Sequence, residues 1–160
     1  MLENLLLLWG FYMASVFPLL TKLKTTDKQK FNYLFRSTFL IAIGSSIVLT
    51  AISYLFAPVI VYLLGGIHFN SSIPAFRILI FSLPFLFLNN SFYYYFLIKN
   101  RFSIFVFSIS IAFISNVLIN IIAIPRYGYL AASITTVITE VVLFICLSIM
   151  FIIISKENKL

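Results

Sequence analysis

The sequence is poor in charge. Asp, Glu, Lys and Arg make up 9% of its 160 residues, against roughly 25% in soluble domains. So few charges cannot cover a globule of this length, which excludes a soluble enzyme and a disordered tail. Acids are the scarcest, four against eleven basic residues. There is one cysteine, Cys146, set in an apolar run, so no disulfide framework exists. That residue reads as a small packing side chain. The single histidine, His68, has no second histidine or cysteine ligand nearby, so no metal site is expected. No paired-carboxylate, Ser-His-Asp or glycine-rich phosphate motif is present, and neither an enzyme nor a bound cofactor is expected. The start, Met1-Leu2-Glu3-Asn4, carries an acid where a cleavable signal peptide would carry lysines.

Apolar length is what the sequence has in abundance. Hydrophobic residues reach 62%, where soluble domains run about 45–50%. A membrane-crossing helix needs about 20 apolar residues. Runs of that kind fall at 2–20, 37–64, 73–98, 102–124 and 129–154. The expected fold is an all-α integral membrane protein with about five transmembrane helices. Pro18 and Gly10 interrupt the first run, Pro58 is expected to kink the second, and Pro84 lies inside the third. Gly65-Gly66 and Pro125 mark expected helix ends. Thr26-x-x-Gln29 fits a capping box. The stretch 27–36 then reads either as an interfacial helix in the headgroup region or as the wet end of the second span.

The net charge of +7 is an orientation signal. Lys22, Lys24, Lys28, Lys30, Arg36, Lys99, Arg101, Lys156 and Lys159 fall on one side of the predicted bundle, and only Arg77 and Arg126 on the other. The positive-inside rule then puts the basic side and the C-terminus in the cytoplasm and the N-terminus outside. No nucleic-acid partner is expected, because the basic residues follow the topology. The lipid bilayer is the expected surrounding.

Polar residues inside a span are costly, so they carry information. Ser108, Ala112, Asn116 and Asn120 recur every four residues, which places them on one helix face. Ala132, Thr136 and Glu140 do the same in the next span, beside Ala131, Thr135 and Thr139. Two such stripes either join the helices by close packing and hydrogen bonds or face a hydrated cavity. Glu140 is the acid deep in a span, roughly 16 Å along its helix from the outer end. It must be protonated, paired or wet, and it could carry a proton or contact a cation. Arg77 could pair with it, snorkel to the headgroups, or bind phosphate. In the third span, only part of Asn89-Asn90-Ser91 can face a cavity, and Tyr93-Tyr94-Tyr95 fits an aromatic belt. The candidate cavity or coupling residues are Arg77, Asn116, Asn120 and Glu140.

Several segments together resemble a known family. Phe17-Pro18-Leu19-Leu20-Thr21-Lys22-Leu23 ends a span and enters a basic loop. Gly65-Gly66-Ile67-x-Phe69-x-x-Ser72 marks an outer turn. Asn116-x-x-x-Asn120 leads through Ile124-Pro125-Arg126-Tyr127-Gly128 into Ala131-Ala132-Ser133-Ile134-Thr135-Thr136, and then Glu140. This order resembles the C-terminal part of the polysaccharide biosynthesis flippases. Their superfamily also holds the peptidoglycan-lipid flippases and the multidrug and toxin extruders. One departure is Ile98-Lys99-Asn100-Arg101, where the family often has Gly-Lys. The resemblance implies part of a two-bundle fold around a central cavity. It implies a flippase moving polyprenyl-pyrophosphate-linked oligosaccharide repeat units of O-antigen, capsule or exopolysaccharide across a bacterial or archaeal cytoplasmic membrane. Sodium or proton coupling and a partner, either the missing N-terminal bundle or a second copy, are expected with it. The short first span fits a truncated gene or a fragment beginning at an internal methionine. The alternative is a small helical membrane scaffold, or a remnant with no transport of its own.

Overall fold

A computed structural model describes residues 2–157. Within them the chain is almost entirely helical and contains no strand. Seven α-helices follow one another: α1 (Leu2–Thr26), α2 (Lys28–Leu55), α3 (Ala57–Gly65), α4 (Ile73–Leu79), α5 (Leu83–Ile98), α6 (Phe102–Tyr127) and α7 (Tyr129–Glu157). Two 3₁₀ turns, Ile67–Ser72 and Ile80–Ser82, flank α4. Five segments are long and apolar enough to cross a membrane: Leu5–Thr26, Lys28–Leu55, His68–Ile98, Phe102–Tyr127 and Tyr129–Lys156. The protein is an all-α, multi-pass membrane protein. Lys159, one of the nine basic residues read as lying on one side, and the side chain of Glu3 lie outside the described residues.

The helix boundaries depart from the sequence reading for local reasons. Pro18 does not end α1, which stays helical to Thr26. Its polar last turns stay helical, with the Thr21 hydroxyl donating to the Phe17 carbonyl and those of Thr25 and Thr26 to the Lys22 carbonyl. The Thr26 hydroxyl is thereby spent inside α1, so Thr26 is not the cap of the next helix. Asp27 is, in an extended conformation with its carboxylate accepting the Lys30 N–H at 3.0 Å. That hydrogen bond lowers the Asp27 pKa, since it favours the ionised form. Residues 28–36 form the first turns of an unbroken α2, capped by Asp27.

Proline placement explains the rest. The span holding Pro58 is split at Phe56, and Pro58 enters α3 in its first turn, where a missing N–H costs least. Pro74 starts α4 and Pro84 starts α5 in the same way. Pro125 does not stop α6, which continues to Tyr127 and ends at Gly128. Proline's clash and missing donor act on the preceding turn, so two more residues can follow.

Gly128 has φ 63° and ψ −148°, a region close to glycine-only. A Cβ added there would meet no atom within 4 Å. Gly128→Ala should therefore destabilise the bundle through backbone strain alone, by about 1–3 kcal/mol. Gly44→Ala is the control, since Gly44 is also open to a Cβ but lies inside α2. It should be neutral or slightly stabilising. Reversible unfolding in mixed detergent micelles measures both, and equal effects would refute the strain argument.

Helix α5 is the centre of the packing and touches α1, α2, α6 and α7. Towards its C-terminal end, Phe92, Tyr95, Phe96 and Ile98 pack with Phe31 and Phe35 of α2 and Leu143, Leu147 and Ile154 of α7. Towards its start, Leu83, Phe87 and Leu88 pack with Trp9 and Met13 of α1 and Ala42 of α2. Tyr95 belongs to this core and is buried, 4.9 Å from the Phe35 ring and 4.8 Å from the Phe151 ring. It is not part of an aromatic belt. The basic end is tied together as well: the Lys24 ammonium donates to the Ile98 carbonyl at 2.6 Å, closing the C-terminus of α5. At the opposite end the Tyr129 hydroxyl donates to the Ser71 carbonyl at 2.9 Å.

Candidate functional site

The polar stripes of α6 and α7 meet. Asn120 Nδ2 donates to Asn116 Oδ1 at 2.9 Å, and Asn116 Nδ2 donates to Thr139 Oγ1 at 2.9 Å. The Thr139 hydroxyl in turn donates to the Thr135 carbonyl at 2.8 Å. Asn116 and Asn120 thus form a chain of hydrogen bonds that crosses from one helix to the next. Below them Ser108 and Ala112 are buried on the same face of α6. Small residues there allow close approach, and the amides join the helices. Of the two readings of the stripes, these contacts are those of a helix–helix seam.

Glu140 turns away from that seam towards α5. Asn89 Nδ2 donates to its Oε2 at 2.9 Å and to its backbone carbonyl at 3.1 Å. Asn89 is 4% exposed, and its own Oδ1 is buried without a hydrogen-bond partner. One amide therefore grips both the side chain and the main chain of residue 140, fixing the carboxylate between α5 and α7. Asn90 Oδ1 is likewise buried and unpartnered. The acid thus lies beside an amide whose own carbonyl oxygen has spare lone pairs.

Arg77 joins neither group. Arg77 does not pair with Glu140. Its guanidinium lies over the Tyr54 ring of α2, 5.2 Å from the centroid. A planar cation on a ring face is a favourable contact where water is scarce. The four candidate residues thus separate into an amide chain, a gripped carboxylate and a stacked arginine.

A cavity of about 670 Å³ opens between α2, α5 and α7 near the basic end. From α2 come Lys28, Asn32 and Arg36, four residues apart on one face, with Phe35, Phe39 and Leu40. From α5 come Phe92 and Tyr95, with Lys99 at its C-terminal cap. From α7 come Phe144, Ser148, Phe151, Ile152 and Ser155. None of these residues is acidic. The Lys99 ammonium lies 4.7 Å from the centre of the Phe31 ring and 5.8 Å from that of Tyr95. Burial lowers the Lys99 pKa below the ordinary lysine value, and the charges of Lys28 and Lys24 push it the same way. Ser148 Oγ is buried with no hydrogen-bond partner.

Two features escaped the sequence reading. Asn89 was singled out only as one of a polar group, because nothing along the chain tells which of three consecutive residues faces α7. The cavity was missed although each wall left a trace. Lys28, Asn32 and Arg36 form a stripe every four residues, and Phe144, Ser148 and Ile152 form another. Neither stripe reveals that it faces the other. In comparisons with protein families, curated proteins and solved structures, none matches the chain.

Proposed function

We propose that the chain is the C-terminal portion of a flippase. Its cargo is a polyprenyl-pyrophosphate-linked oligosaccharide repeat unit of O-antigen, capsule or exopolysaccharide. The membrane is a bacterial or archaeal cytoplasmic membrane, with the basic end and C-terminus inside and the N-terminus outside. The observation that carries this reading is the Glu140 carboxylate held inside the bundle by the Asn89 amide. A carboxylate at that depth is expensive to keep and fits a proton or sodium coupling group. The order of residues from Asn116 to Glu140, which resembles the family, supports it further.

Each residue then has a part. Glu140 takes and releases the coupling cation, and Asn89 positions it. Asn116 and Asn120 keep α6 and α7 moving as one body when the bundles rock in alternating access. Arg77, stacked on Tyr54, ties α4 to α2 at the far end. A bundle of this kind works against an N-terminal bundle or a second copy.

The test restores the upstream spans and follows outward movement of a labelled lipid-linked sugar in vesicles. Glu140→Gln should slow movement about tenfold or more, since a charge coupled to the membrane potential supplies about 2.3 kcal/mol per 100 mV. Unchanged movement in Glu140→Gln combined with Arg77→Ala would remove this site assignment. The second reading, a membrane scaffold without transport, draws on the apolar outer face of α6, where Phe113, Leu118 and Ile121 are exposed. It predicts no movement in any of these vesicles and recovery of the chain with a partner helix.

A further inference from the structure

We propose that the cavity between α2, α5 and α7 is a binding site for an anionic phospholipid of the membrane leaflet at the basic end. This proposal does not require the chain to transport anything.

The walls and rim of the cavity have different chemistry. Its walls are aromatic and aliphatic, with Phe39, Phe92, Phe144 and Phe151 facing the space. That surface suits an acyl chain. Its rim carries Arg36 and Lys99 as well as Lys28, and among the described residues no lining side chain is acidic. An arginine fork and an ammonium together suit a phosphate diester. The volume of about 670 Å³ lies inside the roughly 300–1,000 Å³ range of small-molecule sites.

Charge complementarity decides between an anionic and a neutral lipid. Lys99 is partly buried, and the positive charges of Lys24 and Lys28 lie near it. A phosphate bearing net negative charge relieves that repulsion, whereas a zwitterionic headgroup brings its own cation. Polar inventory decides between a phospholipid and a lipid-linked sugar. The uncharged polar lining is limited to Asn32, Ser148, Ser155 and the Tyr95 hydroxyl. An oligosaccharide would leave most of its hydroxyls facing phenyl rings without hydrogen-bond partners, which is costly. A glycerol phosphate asks for far less, and the accessible Asn32 and Ser155 of the lining can meet it.

The experiment uses the full chain purified in detergent and native mass spectrometry. The probes are dioleoyl phosphatidylglycerol, dioleoyl phosphatidylcholine and undecaprenyl diphosphate. One phosphatidylglycerol should be retained per chain, and phosphatidylcholine should be lost. Arg36→Gln with Lys99→Gln should cut phosphatidylglycerol retention about tenfold or more, because two charge-assisted contacts disappear. Lys22→Gln with Arg101→Gln removes equal charge outside the cavity and should leave retention unchanged. Ile152→Trp narrows the groove without changing charge and should also expel the lipid, which keeps the test open if the charge variant fails to fold. Equal retention of phosphatidylcholine, or equal losses from the two charge variants, would overturn the proposal. One-for-one displacement of phosphatidylglycerol by less undecaprenyl diphosphate would also overturn it and assign the cavity to transport cargo.

Discussion

Phe96→Ala should lower the stability of the bundle by about 2–3 kcal/mol. Phe96 is fully buried in α5, where it packs against Phe92 and Tyr95 beneath α2 and α7. In a soluble core such a truncation removes both the transfer free energy of the ring and the packing around the cavity left behind. In a bilayer the first part largely vanishes, because lipid is as apolar as the ring. The second part remains, since neighbours at van der Waals contact lose partners on one side. The comparison is Phe113→Ala on α6, which is 67% exposed. Lipid replaces that ring at little cost, so its loss should change stability by less than about 0.5 kcal/mol. Reversible unfolding in mixed micelles distinguishes the two. Equal effects would mean that α5 is not the centre of the bundle.

Asn89→Leu should cost about 2 kcal/mol, and its cause can be isolated by a second substitution. The amide makes two hydrogen bonds to residue 140, one to the carboxylate and one to the main chain. Removing it strands a buried acceptor, at a cost of roughly 1–3 kcal/mol. Glu140→Leu alone strands the Asn89 amide in turn. The double variant Asn89→Leu/Glu140→Leu strands neither side chain and should lose clearly less than the sum of the single losses. The expected interaction energy is about 1 kcal/mol. Additive losses from a double-mutant cycle would show that the pair does not act as a unit. It would also leave Glu140 without the positioning contact on which its coupling role rests.

The two experiments address different parts of what could be read in advance. Helix number and placement were legible because hydropathy and proline act locally. The apolar runs stood out against loops as short as Lys99-Asn100-Arg101. The boundaries were less legible at α1, where the polar turns from Thr21 to Thr26 stay helical. Proline shows the same limit: the second span breaks at Phe56, just before Pro58, whereas Pro125 sits two residues before an end that Gly128 makes.

For the site the division is sharper. The alignment of Asn116 with Asn120, and of Thr135 with Thr139, follows from the pitch of one helix and is contained in residue spacing. So is the gathering of basic residues at one end, which follows from counting spans. Three things were decided only by tertiary structure. Glu140 meets Asn89, 51 positions earlier in the chain. Arg77 stacks on Tyr54 and stays apart from Glu140. The stripes of α2 and α7 enclose a cavity with α5. The physical reason is common to all three. A sequence sets the period of each helix, but the rotation of a helix about its axis is set by the neighbours it packs against, and those come from distant parts of the chain.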